Sequence, residues 1–182
     1  MQTTPPILLV SVMHTGTRYT SQLLEGWGVR FERFHTISDK IFEPDYLRRP
    51  AIVPMRNPYH CFLTWWKTSS YLIDEHDFGN GFLRQFHLLD EWLELRTRRK
   101  AETIIFPIDK WNPATLADSM GVEYKDVSIQ ASGHHITDKF IQPIYSAFPQ
   151  SVQDIATKWG YPTHLTITVT EATIIESIVD AL

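Results

Sequence analysis

The chain has 182 residues, 43% hydrophobic and 21% charged. That is globular composition, which excludes a disordered or fibrous protein and predicts a single domain over residues 1–182, with a strand and C-terminal helix appended over 163–182. Its 17 Lys and Arg against 21 Asp and Glu give a formal net charge of −4, which excludes a bulk electrostatic attraction to nucleic acid or an anionic membrane. The one cysteine, Cys61, excludes an intrachain disulfide and a cysteine-rich zinc site. Met1-Gln-Thr-Thr-Pro-Pro6 holds no basic residue ahead of the apolar run Ile7–Val12. That run is too short for a signal peptide or a membrane span, so the expectation is a soluble cytoplasmic protein.

Ile7–Val12 reads as a strand buried on both faces. The polar turn Met13–Arg18 follows, then a helix whose Tyr19, Leu23 and Leu24 share a face and whose end is marked by Gly26 and Gly28. Val29–His35 alternates as a second strand, and Ala51–Met55 forms a third, with Pro54 predicted to end or bend it. A loop is expected around Asp77–Gly81, followed by an amphipathic helix over Phe82–Arg98. Thr103–Ile108 is a fourth buried strand. Asn112-Pro113 caps and opens a helix to about Met120, which Gly121 closes. Ser151–Trp159 is helical, closed by Gly160 and Pro162; Leu165–Val169 alternates, and a helix starts at Glu171. Strands alternating with helices imply a three-layer α/β/α fold around a mostly parallel sheet.

The turn Met13-His14-Thr15-Gly16-Thr17-Arg18 joins a buried strand to a helix. In an open parallel sheet, ligands gather at the carboxyl ends of strands, and a helix N-terminus there suits a phosphate or sulfate. Gly16 permits close approach of the backbone, while Thr15, Thr17 and Arg18 bring donors. The ATP/GTP phosphate-loop pattern G-x-x-x-x-G-K-[ST] is absent. A tight turn that needs one glycine explains this segment alone equally well.

Val12-Met-His-Thr-Gly-Thr-Arg-Tyr19 resembles the phosphosulfate loop of the sulfotransferases, and Met55-Arg-Asn-Pro58 resembles their arginine-aspartate/asparagine-proline element. Ile104–Trp111 with Ala114–Val122 is similar to their fourth strand, acidic turn and following helix, in family order. The resemblance implies a P-loop NTPase-like architecture and a cosubstrate, 3′-phosphoadenosine 5′-phosphosulfate, released as adenosine 3′,5′-bisphosphate. It implies that His14, Thr15, Gly16, Thr17, Arg18 and Tyr19 hold the 5′-phosphosulfate. Arg56 and Thr64, eight residues on, would grip the 3′-phosphate. His14 stands where the family has a basic residue beside the leaving oxygen. His35, after the second strand, takes the position of the acceptor-activating base, so His35 and His14 are the catalytic candidates. Ser132-Gly-His-His135 is the candidate for the loop closing over the adenosine.

Other features have plainer readings. His134-His135 lacks a third ligand at helical spacing, so no metal is expected. Arg96-Thr-Arg-Arg-Lys100 reads as a solvated helix end. Trp65, Trp66 and Cys61 read as core, with one tryptophan a candidate for stacking on adenine or acceptor. The expected activity is metal-free sulfuryl transfer to a hydroxyl or amine of a small-molecule or glycan acceptor, with no nucleic-acid or membrane partner. A phosphoryl-transferring kinase and a catalytically silent nucleotide-binding protein are the alternatives.

Overall fold

The computed structural model describes residues 5–69, 75–129 and 150–161. Its elements in chain order are β1 (Ile7–Val10), α1 (Thr17–Gly26), β2 (Phe31–Phe34), a 3₁₀ turn (Asp39–Phe42), α2 (Pro44–Arg48), β3 (Ala51–Met55), α3 (Pro58–Ser69), α4 (Glu75–Arg98), β4 (Thr103–Pro107), α5 (Pro113–Met120) and α6 (Gln150–Lys158). The expected strands Leu165–Val169, the helix from Glu171 and the Ser132–His135 loop lie outside the described residues. Two compact units partition the chain: residues 1–56 with 84–131, and 57–83 with 132–182.

The first unit holds a four-stranded, all-parallel sheet in the order β2-β1-β3-β4. On one face Leu9, Ile52 and Phe106 pack against Leu23 and Leu24 of α1 and Leu116 of α5. Their strand neighbours Leu8, Val10, Ala51 and Val53 are equally buried and point to the opposite face. The β1–β2 and β3–β4 connections run in opposite directions along the sheet, so right-handed crossovers put α1 and α4 on opposite faces. This α/β arrangement is compatible with three layers.

The segment around Asp77–Gly81, expected as a loop, is the first part of α4. Two glycines there cost about 1 kcal/mol each relative to alanine. Each residue added to an existing helix also adds a backbone hydrogen bond, and the stripe Phe86, Leu89 and Trp92 holds the remainder in place. Pro54 does not end its strand either: β3 runs to Met55, with Pro54 paired to Phe106. Ala51 N–H donates to Glu102 O of the β4 side at 3.1 Å. Successive amides alternate in direction, so the N–H that Pro54 lacks would point toward β1. There the β1–β3 ladder already stops at Leu9↔Ile52, whereas the β3–β4 ladder continues to Met55↔Pro107. The proline therefore loses no bond.

The start and end of α5 follow local chemistry. Asn112 Oδ1 accepts from Thr115 N at 2.9 Å, Pro113 fills the first turn, and Gly121 takes φ 66°. The predicted solvated end of α4 differs at one residue. Arg96 is 0% exposed and donates to the carbonyls of Tyr46, Leu47, Arg49 and Glu102 and to Thr103 Oγ1. Its guanidinium lies 4.7 Å from the Trp92 ring centroid. Burial pushes its pKa down to about 10, so it stays charged at neutral pH. Five acceptors and an aromatic face replace the water it gives up.

In the second unit, α3 opens where Asn57 Oδ1 accepts from Tyr59 N at 3.0 Å, and α3 packs against α6. Phe62 meets Phe82 edge-on at 5.5 Å, and Cys61 is buried. Trp65 and Trp66 lie on α3, and their side chains are outside the described ones.

Candidate functional site at the carboxyl edge of the sheet

The strand order reverses at β1: the chain leaves it toward β2 on one side and later returns to β3 on the other. In open α/β sheets such a switch point leaves a crevice between two strand ends, and that is where ligands bind. Residues 11–18 follow β1, Arg56 follows β3, and His35 follows β2, so all stand at this one edge. The early end of the β1–β3 ladder leaves the two strand ends unbonded to each other from Pro54 onward.

The loop itself has a particular backbone. His14 has φ 67° and Gly16 φ 102°, with no positive φ at Thr15 or Thr17. Alternating hands turn successive N–H groups toward one side, the geometry of an anion-binding concavity. Gly16 is the N-cap of α1 and supplies no side chain to the first turn. The amides of Thr17, Arg18 and Tyr19 thus have no intrahelical acceptor. The dipole of a ten-residue helix favours negative charge at that point.

The loop hydroxyls are occupied in holding this shape. Thr15 Oγ1 donates to Val12 O at 2.7 Å, and Thr20 Oγ1 donates to Gly16 O at 3.1 Å. Ser11 Oγ donates to Phe34 O at 3.2 Å and is also hydrogen-bonded to Thr17 Oγ1. Since Ser11 has a single hydroxyl proton, Thr17 is the donor in that second bond. The chain Thr17–Ser11–Phe34 fastens the first turn of α1 to β1 and to the end of β2. Ser11 was not a sequence-level candidate, because its partner at β2 is distant in the chain.

Arg18 is exposed, His14 and Arg56 half-buried. Tyr19 lies against Phe106 at 6.4 Å, and burial, with Tyr124 beside it, pushes its phenol above the usual range. Its ring is therefore part of the core beside the loop. Thr64 belongs to the second unit; it is buried on α3 and donates to His60 O at 2.8 Å. His35 is exposed, and its pKa is lowered by partial burial and by the positive charges of Arg33 and Arg18. It is accordingly neutral at pH 7. The edge thus combines an uncapped helix terminus, guanidinium groups and one neutral imidazole, which together can hold an anion and accept a proton.

No protein-family model, no curated protein and no solved structure matches this chain. Among the described residues, no three His, Cys, Asp or Glu side chains come together as a metal site, and no helix is long and apolar enough to cross a membrane.

Proposed function

We propose that the chain is a sulfotransferase of P-loop type that uses 3′-phosphoadenosine 5′-phosphosulfate and an acceptor hydroxyl or amine. The observation carrying this reading is the juxtaposition, at one switch point, of the uncapped α1 terminus after β1 and Arg56 after β3. The first suits a 5′-phosphosulfate and the second a 3′-phosphate. A guanidinium binds a phosphate monoester through paired N–H groups, which a mononucleotide lacking the 3′-phosphate cannot use.

When bound, the cosubstrate supplies an electrophilic sulfur, whose bond to the 5′-phosphate oxygen breaks as the acceptor oxygen or nitrogen attaches. His35, neutral at pH 7, accepts the acceptor's proton. The amides of residues 17–19, with Arg18 and His14, hold the negative charge left on the phosphate side, in positions fixed before reaction by the Thr17–Ser11–Phe34 chain. Calorimetric titration tests the reading: adenosine 3′,5′-bisphosphate should bind at least tenfold more tightly than adenosine 5′-monophosphate or ATP with magnesium. Equal affinities would sink it.

A further inference from the structure

Several arginines of the first unit are committed to partners, Arg49 and Arg96 most closely. Arg49 binds Glu32 Oε2 at 2.8 Å and the Pro6 carbonyl, and Arg96 is enclosed by carbonyls. Glu32 itself lies on the face of β2 opposite to Arg33, where it also takes Lys40 at 2.9 Å. On the α1 face the situation is reversed. Arg33 pairs in register with Leu9, so the two side chains share that face, and His35, two residues on, points the same way. Arg18 projects from the first turn of α1. All three are exposed, and among the described residues none of their side chains has a hydrogen bond or an ion pair. They feel one another: the charges of both arginines act on His35, and no carboxylate does so with comparable effect.

Like charges gathered without a counter-charge cost stability, and this chain is acidic overall, with carboxylates enough to pair them. Arg18 is accounted for by the 5′-phosphosulfate proposed to sit at the α1 terminus. Arg33 is not, since it stands on the edge strand level with Leu9, farther from the carboxyl edge and the β1 loop than His35. We infer that Arg33 selects an acceptor carrying an anionic group, such as a carboxylate, next to the hydroxyl that meets His35. The anion lands on Arg33 with Arg18 behind it, and the hydroxyl proton then faces the imidazole. The inference rests on the sulfuryl-transfer reading for the fate of that hydroxyl, but the anion preference can be measured without it.

Methyl β-D-glucuronide and methyl β-D-glucoside differ only in a carboxylate against a hydroxymethyl group, which makes them a matched pair of probes. Each is titrated into the full chain while the His35 imidazole proton signal is followed by NMR, with and without saturating adenosine 3′,5′-bisphosphate. The glucuronide should shift that signal and bind about fivefold more tightly than the glucoside, the upper end for one exposed ion pair. Arg33→Ala should abolish the preference and Arg33→Glu should reverse it, with affinity for the bisphosphate unchanged in both. Absence of a carboxylate preference in the wild type, whether both probes bind equally or neither binds, overturns the inference. So does a preference that survives in both variants. Failure of the bisphosphate to bind the wild type sinks the sulfuryl-transfer reading instead, and the titrations without nucleotide still decide the role of Arg33.

Discussion

Gly16 faces Ile108 so closely that a methyl group on its Cα would stand 2.3 Å from Ile108 Cδ1. The glycine after β1 is therefore packed against the residue that follows β4, on a backbone with φ 102°. Two separate costs attach to any side chain at this position: the left-handed backbone, about 1–2 kcal/mol, and overpacking against Ile108, about 1–3 kcal/mol. Gly16→Ala should lower stability in urea unfolding by the sum of these. Ile108→Val removes the obstructing methyl, so the double variant should be about 1 kcal/mol more stable than additivity predicts. Additive effects would show that Ile108 moves aside freely. Titrating adenosine 3′,5′-bisphosphate into the folded double variant then separates the ligand's need for glycine from the need of the fold.

Arg56 is the group through which a 3′-phosphate would be told from its absence. Arg56→Ala should cost adenosine 3′,5′-bisphosphate about 1.5–3 kcal/mol of binding, the usual worth of hydrogen bonds to a charged partner. Binding of adenosine 5′-monophosphate should change little. Equal losses for both nucleotides in calorimetry would assign Arg56 to the shared part of the ligand or to the fold.

The elements most legible in the sequence were those fixed by neighbours in the chain. Asn112-Pro113 and Gly121 bounded α5 because capping is a matter of a few adjacent residues. Three of the strands announced themselves as short apolar runs, and the second by the alternation of Val29–His35. Pro54 does not end its strand because a missing N–H matters only on the side where a partner strand lies, and that depends on register. Arg96 was misread although a signal existed: it continues the spacing Phe86, Leu89, Trp92 onto the buried stripe of α4. Charge outweighed spacing in that reading, and the carbonyls that receive it come from residues 46–49 and 102, unrelated in sequence. At the edge of the sheet, the glycine, Arg18, Arg56 and His35 could be named from the chain, while Arg33 was not. The left-handed His14 and the Thr17–Ser11–Phe34 chain could not, since both arise from how β1, α1 and β2 meet.

Arg96 should prove one of the most sensitive positions for stability. Arg96→Met keeps the stem over Trp92 but leaves the carbonyl of Arg49, its acceptor at 2.8 Å, without that donor, and leaves Glu102 O with only the Ala51 N–H. Leaving a buried acceptor without its donor costs about 1–3 kcal/mol. Urea unfolding should register a loss of that size. Arg96→Lys should recover only part of it, because an ammonium cannot span acceptors arranged around a planar fork. A loss under about 1 kcal/mol for the methionine variant would mean that water replaces the guanidinium.

His35 links stability and turnover to pH in the same window. Its pKa lies below the ordinary 6.5 because of partial burial first, then the charges of Arg33 and Arg18. Protonation is thus disfavoured in the folded chain. Between the lowered value and 6.5 the unfolded chain holds more protons, so this residue makes stability rise with pH through that window and level off above it. Catalysis should follow the same group. The acidic limb of the pH–rate profile should lie below pH 6.5, and Arg33→Ala, by removing one of the causes, should move it upward. His35→Ala should erase the limb and lower turnover by roughly 10²–10⁴-fold, the usual contribution of a positioned base. Affinity for adenosine 3′,5′-bisphosphate should stay within about twofold, since an exposed neutral imidazole offers the nucleotide little. Wild-type turnover in His35→Ala, with the limb unchanged, would move the base to another group, and His14 in the β1 loop is the next to replace.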